Sequence, residues 1–324
     1  MVQVQRRKFL IAAGGLFVAP ALAQQSSRVY TIGVLFGGGP KPMTHFRAAL
    51  VERLAKHGFV EGRNLRVEAR VGSAGYDSAS VRELVALKPD ALMTCLTSGT
   101  MAAKAIAGTT PIVFVWVADP IAANFVQSYA RPDRNITGVT NRFGEILVKR
   151  LELAHELLPG AKRVAIANTT SPLYRLLAPP LRRAADKLGV ELVELPVYDW
   201  SATVEQAKSA GAAAVIPFNQ FTATASRLSG EILVNEALKR RVPVIYAGAE
   251  MVEAGGLMSY GTNLVDGIRR AADLLARVLK GANPAKIPVD QASRFELAVN
   301  LKTAKAIGLT IPQSILLRAD GVIE

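Results

Sequence analysis

One cysteine, three histidines and two tryptophans in 324 residues leave few of the groups on which much enzyme chemistry depends. The single Cys95, inside the apolar run 91–96, has no partner for an internal disulfide and is expected as a buried core thiol. His45, His57 and His155 stand apart, with no His-Glu-x-x-His and no paired cysteines, so no metal site is expected. There is no Gly-x-Ser-x-Gly elbow for a serine hydrolase. The run Gly37-Gly38-Gly39-Pro40-Lys41-Pro42 puts Pro42 where a dinucleotide fingerprint has its third glycine, so no nucleotide cofactor is expected. Its glycines instead suit close approach of the backbone to a ligand.

Acidic residues are the scarcer charge: 39 Lys and Arg stand against 26 Asp and Glu, a formal +13. The excess is scattered and mixed with carboxylates, as in Arg182-Arg183 followed by Asp186-Lys187. No basic run interleaved with aromatics occurs, so nucleic acid is not an expected partner.

What is present begins at the N-terminus. Arg6-Arg7-Lys8 precede an apolar stretch at 9–22 that ends in the small-x-small motif Ala21-Leu22-Ala23. This is the pattern of a secretory signal peptide over residues 1–23. A spanning helix needs roughly 20 apolar residues, so the stretch is too short to be read as one. The Arg6-Arg7 pair before Lys8-Phe9-Leu10 also resembles a twin-arginine signal, and both that route and the general secretory route stay open. No cysteine follows the cleavage motif to carry a lipid. The expectation is a soluble periplasmic protein of net charge +10, the three basic residues of the signal having been removed.

From residue 28 onward, apolar runs at 30–36, 65–71, 91–96, 112–117, 164–168, 191–197, 213–218, 244–247 and 256–260 alternate with longer amphipathic patterns. Most are continuously apolar, as for strands covered on both faces. Between them, Met43, Phe46, Leu50 and Leu54 recur at helical spacing before Gly58. Ile146, Leu147, Leu151, Ala154, Leu157 and Leu158 do so before Pro159-Gly160, and Ile268, Ala272, Leu275 and Leu279 before Gly281. Such alternation predicts an α/β chain with parallel, doubly wound sheets. The pattern also restarts: Arg28-Val29-Tyr30 and Arg163-Val164-Ala165 open similar series 135 residues apart. The prediction is therefore two doubly wound parallel-sheet lobes joined by a hinge, with the first crossing around 135–139. Residues 28–138 with about 264–282 form one lobe, and 139–263 with about 283–324 the other.

Open α/β sheets bind ligands beyond the carboxyl ends of their strands. Polar loops stand at four such ends: Thr97-Ser98-Gly99-Thr100, Asp119-Pro120, Thr169-Thr170-Ser171-Pro172 and Asn219-Gln220. Ser, Thr, Asp and Asn are ordinary helix caps, so each loop alone is explained without a ligand. Four of them at one cleft predict a site, and helix starts there suit a carboxylate. Phe36, Trp116, Tyr174, Phe218, Phe221, Tyr246 and Tyr260 lie within a few residues of strand ends. A cleft of aromatic walls and polar loops suits a small molecule with a flat apolar part and a charged end.

Several segments carry a family likeness: Pro111-Ile112-Val113-Phe114 with Asp119-Pro120, Asn135-Ile136-Thr137-Gly138-Val139, and the run from Ala254-Gly255-Gly256 to Gly261. The tail adds Phe295-Glu296-Leu297, Asn300-Leu301-Lys302-Thr303-Ala304-Lys305, Gly308-Leu309-Thr310-Ile311-Pro312 and Arg318-Ala319-Asp320. Over nearly all of the mature chain the sequence resembles the ABC transporter substrate-binding proteins of the tryptophan/tyrosine-type uptake family. The resemblance implies a type I periplasmic binding fold with three crossings and a small ligand, an aromatic amino acid, clamped between lobes. It also implies an ABC permease of the inner membrane as partner and a monomer that is not an enzyme. On that reading Ser98 and Thr100, with their N–H groups, take the carboxylate, and Asp119 or Glu250 the ammonium. Glu250 has an equal reading as a carboxylate stabilised at a helix start. Phe36, Trp116, Tyr174 and Tyr246 form the walls, and Gly37, Gly38, Thr97, Gly99, Thr169, Phe218 and Asn219 complete the lining. The rival readings are a ligand-sensing periplasmic module for a receptor and an exported α/β enzyme. The missing His, Cys and Ser constellations oppose the enzyme.

Overall fold

Continuous apolar runs form strands here because a parallel sheet with helices on both faces buries every side chain of the run. The computed structural model describes residues 28–37, 40–72, 78–167, 169–170, 172–218 and 230–324. In chain order the first part holds β1 (Tyr30–Gly37), α1 (Pro40–Lys56), β2 (Leu65–Gly72), α2 (Ser78–Ala86), β3 (Ala91–Cys95), α3 (Leu96–Ile106), β4 (Ile112–Val117) and β5 (Ile136–Thr140). Then follow α4 (Phe143–Leu157), β6 (Arg163–Ala167), α5 (Pro172–Leu188), β7 (Glu191–Leu195), α6 (Trp200–Ser209), β8 (Val215–Pro217), α7 (Gly230–Arg240), β9 (Ile245–Tyr246), α8 (Ala249–Glu253) and β10 (Met258–Thr262). The last part holds α9 (Leu264–Leu279), β11 (Asp290–Gln291), β12 (Phe295–Asn300), α10 (Leu301–Ile307), α11 (Gln313–Leu316) and β13 (Gly321–Ile323).

The first lobe is one parallel sheet in the order β11-β5-β4-β3-β1-β2. Helices α1 and α9 cover one face, where Leu50, Leu54, Ile268 and Leu275 are fully buried and Cys95 lies among them. Helices α2 and α3 cover the other through Val81, Leu84, Ala102 and Ala103. Each such aliphatic side chain contributes about 1.5–3 kcal/mol on burial, so α9, which begins 208 residues after α1 ends, is integral to this core.

The second lobe joins β7-β6-β8 to β9-β10-β12-β13 through the parallel bridge of Val215 to Val244. The N–H of Val215 donates to Pro243 O at 2.9 Å across that seam. Among the described residues of this lobe only β10 and β12 run antiparallel. One core, shared by α4, α5, α10 and α11, includes Leu151, Leu181 and Ile315; the other is built on α6 and α7 with Trp200, Val204 and Leu233.

Two expectations shift. The segment read as the first crossing is strand β5, paired along β4, so the first lobe keeps the chain to Thr140. Its polar residues are tolerated because Thr137 Oγ1 donates to Ile287 O at 2.9 Å and Thr140 Oγ1 to Val117 O at 2.8 Å. Likewise β11 pairs with β5, so residues near 290 lie on the first sheet and not with the second lobe. Strands β12 and β13 were not expected at all.

The chain thus passes between lobes after Thr140, after Thr262 and after Gln291, and these crossings are tied together. Ala292 N donates to Thr140 O at 2.9 Å. Asn263 caps α9, its Oδ1 accepting from Asp266 N at 2.8 Å, while its Nδ2 donates to Glu296 Oε1 at 2.8 Å. Tyr260 stacks on Phe295 with centroids 5.9 Å apart, and the Arg142 guanidinium lies over the same Phe295 ring. Among the described residues no helix is long and apolar enough to cross a membrane.

Candidate functional site

In the first sheet the winding reverses between β1 and β3; in the second it reverses between β6 and β8. A crevice opens at the carboxyl ends of strands where the winding reverses. Gly37 ends β1 and the first turn of α3 follows β3 directly, while Thr169 and Phe218 follow β6 and β8. Gly38 and Asn219, also expected in the lining, lie outside the described residues.

The strand-to-helix step at β3 takes no loop. Leu96 turns the chain with a left-handed φ of 66°, so Thr97, Ser98, Gly99 and Thr100 form the opening turn of α3. The first N–H groups of a helix have no partner within it, which leaves donors at this point. The side chains behave differently. Thr97 Oγ1 accepts from Ala118 N at 3.2 Å. Thr100 is fully buried, its hydroxyl donating to Leu96 O at 2.8 Å and lying 2.9 Å from Thr94 Oγ1. The expected use of the Thr100 hydroxyl on a carboxylate is therefore corrected: it is spent inside the lobe. Asp119 Oδ1 accepts from the N–H groups of Ile121 and Ala122 at 3.0 and 2.9 Å, capping its own turn.

The four expected walls are core residues in this conformation, since Phe36, Trp116, Tyr174 and Tyr246 are each at most 2 % exposed. Aromatic rings bury more apolar area than any other side chain, and here that burial is directed inward. Trp116 sits at a bulge in β4 with φ 59° and packs edge-on against Phe46 at 4.8 Å, on the α1 side of the sheet. Tyr174 and Phe143 both meet Phe218 edge-on at 5.1 and 5.3 Å, and burial pushes the Tyr246 phenol upward.

The polar pocket lies instead where the crossings meet α4 and α8. A shallow, partly open pocket is bounded by Asn141, Phe143, Arg150, Gly248, Glu250 and Thr262, with neighbours on the same elements. Arg150 is 1 % exposed and Asn141 3 %, while Glu250 is exposed, so the first two form the floor and the third the rim. Arg150 Nε donates to Tyr260 O at 2.8 Å, and its guanidinium lies 5.5 Å over the Phe143 ring. Its Nη1, like Asn141 Oδ1, is buried with no hydrogen-bonding partner among the described residues. Burial pulls the Arg150 guanidinium down to about 9, against an upward pull from Glu250, so it stays cationic at neutral pH. Desolvation by the surrounding protein raises the Glu250 carboxyl, more than its own backbone N–H lowers it.

Glycine builds the close approach that frames this pocket. A Cβ on Gly261 would stand 2.0 Å from Ala247 O and 3.6 Å from Arg150 Nη2, so β10 meets the β9–α8 loop only without a side chain there. Of the predicted residues, the fold brings Glu250 to this cavity. Asn141, Phe143, Arg150 and Thr262 were not anticipated. For Arg150 a signal existed: it interrupts the apolar stripe Phe143, Leu147, Leu151, Ala154 and Leu157 on the buried face of α4. Among the described residues no cluster of His, Cys, Asp and Glu is placed to hold a metal ion.

Known proteins of the same kind were found by sequence and by structure. Residues 40–323 match the family model described as ABC transporter substrate binding protein. The tyrosine-binding protein of Clostridioides difficile (strain R20291) is 25 % identical over 268 residues, covering 81 % of this chain and 76 % of its own length. The conserved domain protein of Vibrio cholerae O1 biovar El Tor strain N16961 superposes with a TM-score of 0.78 at 26 % identity, over 91 % of this chain and 100 % of that one. An ABC domain from Streptococcus pneumonia in complex with L-Trp gives 0.77 at 24 % identity over 91 % of this chain and 100 % of its own, a likeness of fold.

Proposed function

The chain belongs to the ABC transporter substrate binding protein family and has the type I periplasmic binding fold, and from that premise we propose that it captures an aromatic amino acid between its lobes for delivery to an inner-membrane ABC permease. The observation that carries the reading is the cavity at the crossings, where a buried cation, a rim carboxylate and the Phe143 ring meet. Relatives named for tyrosine and crystallised with L-Trp support the aromatic part.

On this reading Gly37, Thr97, Ser98 and Gly99 offer backbone and hydroxyl groups from the first lobe and Thr169 from the second. Glu250 takes the ammonium, and its raised pKa fits a carboxyl that a cation would settle. Binding draws the lobes together about the crossings. Moving them from 1:99 to 99:1 in favour of the closed form takes about 5.5 kcal/mol of differential binding. The protein works as a monomer in the periplasm without catalysis or cofactor, exported on the signal at residues 1–23.

Isothermal titration with L-tryptophan, L-tyrosine and L-phenylalanine tests the ligand class. Saturable heat with at least one of them is expected, and no heat from any of the three defeats the aromatic reading. Solution scattering tests closure: the radius of gyration should fall on saturation, and an unchanged value would reject it.

A further inference from the structure

The reading just given leaves open which group of the protein fixes the other end of an amino acid. Resting on that reading, we infer that Arg150 and Asn141 form a fixed receptor for an α-carboxylate with its neighbouring ammonium, built at the crossings and not at the start of α3.

Three observations converge on it. Arg150 Nη1 is a buried donor aimed at no acceptor among the described residues, although its Nε is satisfied by Tyr260 O at 2.8 Å. Asn141 Oδ1 is a buried acceptor in the same condition, and both residues line the one cavity. A buried polar atom without a partner costs free energy, so such atoms are rare in folded proteins and point to a group that is to be bound. The third is polarity. The cavity offers a donor with full charge, a neutral acceptor and, at its rim, the Glu250 carboxylate. An α-amino acid presents the complement within two bonds: a carboxylate for Arg150 and an ammonium shared by Asn141 and Glu250.

Preorganisation strengthens the assignment. Nε anchored on Tyr260 and the guanidinium laid over Phe143 hold the Arg150 head in one orientation, leaving little side-chain entropy to lose on binding. The start of α3 is the weaker candidate, because the Thr100 hydroxyl already donates to Leu96 O and no buried cation stands there.

The test is titration calorimetry on the full chain with L-tryptophan, L-tyrosine, L-phenylalanine and L-leucine, each beside its amide and its decarboxylated amine. The amines should bind about 100-fold more weakly than the parent acids and the amides about 10-fold, as expected for loss of a charge-assisted hydrogen bond. Arg150→Lys should weaken the acids about 10-fold and leave the amines unchanged; Asn141→Ala should cost about 5-fold on both. Amines binding as tightly as the acids would overturn the carboxylate receptor while leaving the aromatic reading intact. Leucine binding in place of the aromatic acids, with its amide and amine weakened, would overturn the aromatic reading and leave the receptor standing. Silence from all four acids overturns both. Because the ligand series uses the unaltered chain, a variant that fails to fold, seen by circular dichroism, does not decide the matter.

Discussion

Thr100 in the first lobe and Arg150 at the crossings are both fully buried polar residues, and their hydrogen bonds are used in opposite ways. The Thr100 hydroxyl is closed on Thr94 and Leu96, and nearby Asp119 is closed on its own turn. Arg150 is closed on Tyr260 by one nitrogen and open at another, and Asn141 beside it is open too. The difference separates polar groups that hold a scaffold from polar groups held ready by one. It also gives a rule for variants: the first kind should move stability without affinity, the second affinity without stability.

The largest effect tests the frame and not either group. Gly261→Ala puts a methyl 2.0 Å from Ala247 O, a backbone atom that cannot step aside alone. A loss of about 3 kcal/mol in chemical denaturation is expected, with weakened binding, since the displaced strand carries the Arg150 anchor. A stability change under about 1 kcal/mol would mean that the β10–β9 approach is not tight.

Next in size is Arg150→Met. Burying a charge is expensive, and an apolar residue of similar length is often neutral or better for stability. The melting temperature should hold or rise while affinity for the bound amino acid falls about 100-fold, about 2.7 kcal/mol. A lowered melting temperature with unchanged affinity would collapse the distinction between the two regions.

Thr100→Val is the mirror experiment. It removes a buried hydroxyl and orphans that of Thr94, so about 1 kcal/mol of stability should be lost with the dissociation constant within about twofold of the parent. An affinity loss of tenfold or more would return the carboxylate to α3.

Glu250→Gln should show the smallest effect, read against pH. Desolvation raises its folded pKa above the ordinary 4.5. The folded chain then keeps this proton to higher pH than the unfolded one does. That contribution to stability is full below the unfolded pKa and fades as pH rises through the folded value. The melting temperature of Glu250→Gln should therefore gain slightly on the parent from pH 4 to pH 8, a modest change because the residue is exposed and screened. Amino-acid binding by the parent should weaken as pH falls through the raised pKa, and that slope should vanish in the variant.

Much of the architecture was legible because burial leaves a plain mark. Runs such as Ile112–Val117 are apolar at every position, and a strand buried on both faces has no other solution. β5 was hidden because Thr137 and Thr140 look like loop residues, and only the distant carbonyl of Ile287 and that of Val117 make them strand residues. β12 mixes partly exposed with buried positions and pairs antiparallel with β10, which gives a weaker pattern than the continuously apolar strands. The site was less legible, because polar loops and aromatics near strand ends say where a cleft lies but not which way a side chain turns. Trp116 turns to Phe46, a choice fixed by packing between elements far apart in sequence, while Thr100 turns back to Leu96 within its own helix.

The place of α9 and β11 in the first lobe also bears on how the chain is made. Ile268 and Leu275 complete a core whose other members are drawn from residues near the N-terminus, and Asp290–Gln291 closes the sheet edge beside β5. At 5–20 residues per second, the ribosome needs on the order of 15–60 s to reach that strand. The lobe begun first is thus completed only after most of the second has been made, and β12 and β13 then close the second. For most of synthesis the nascent chain lacks the helix that would seal its first core, so that core cannot close before residues 264–279 have emerged.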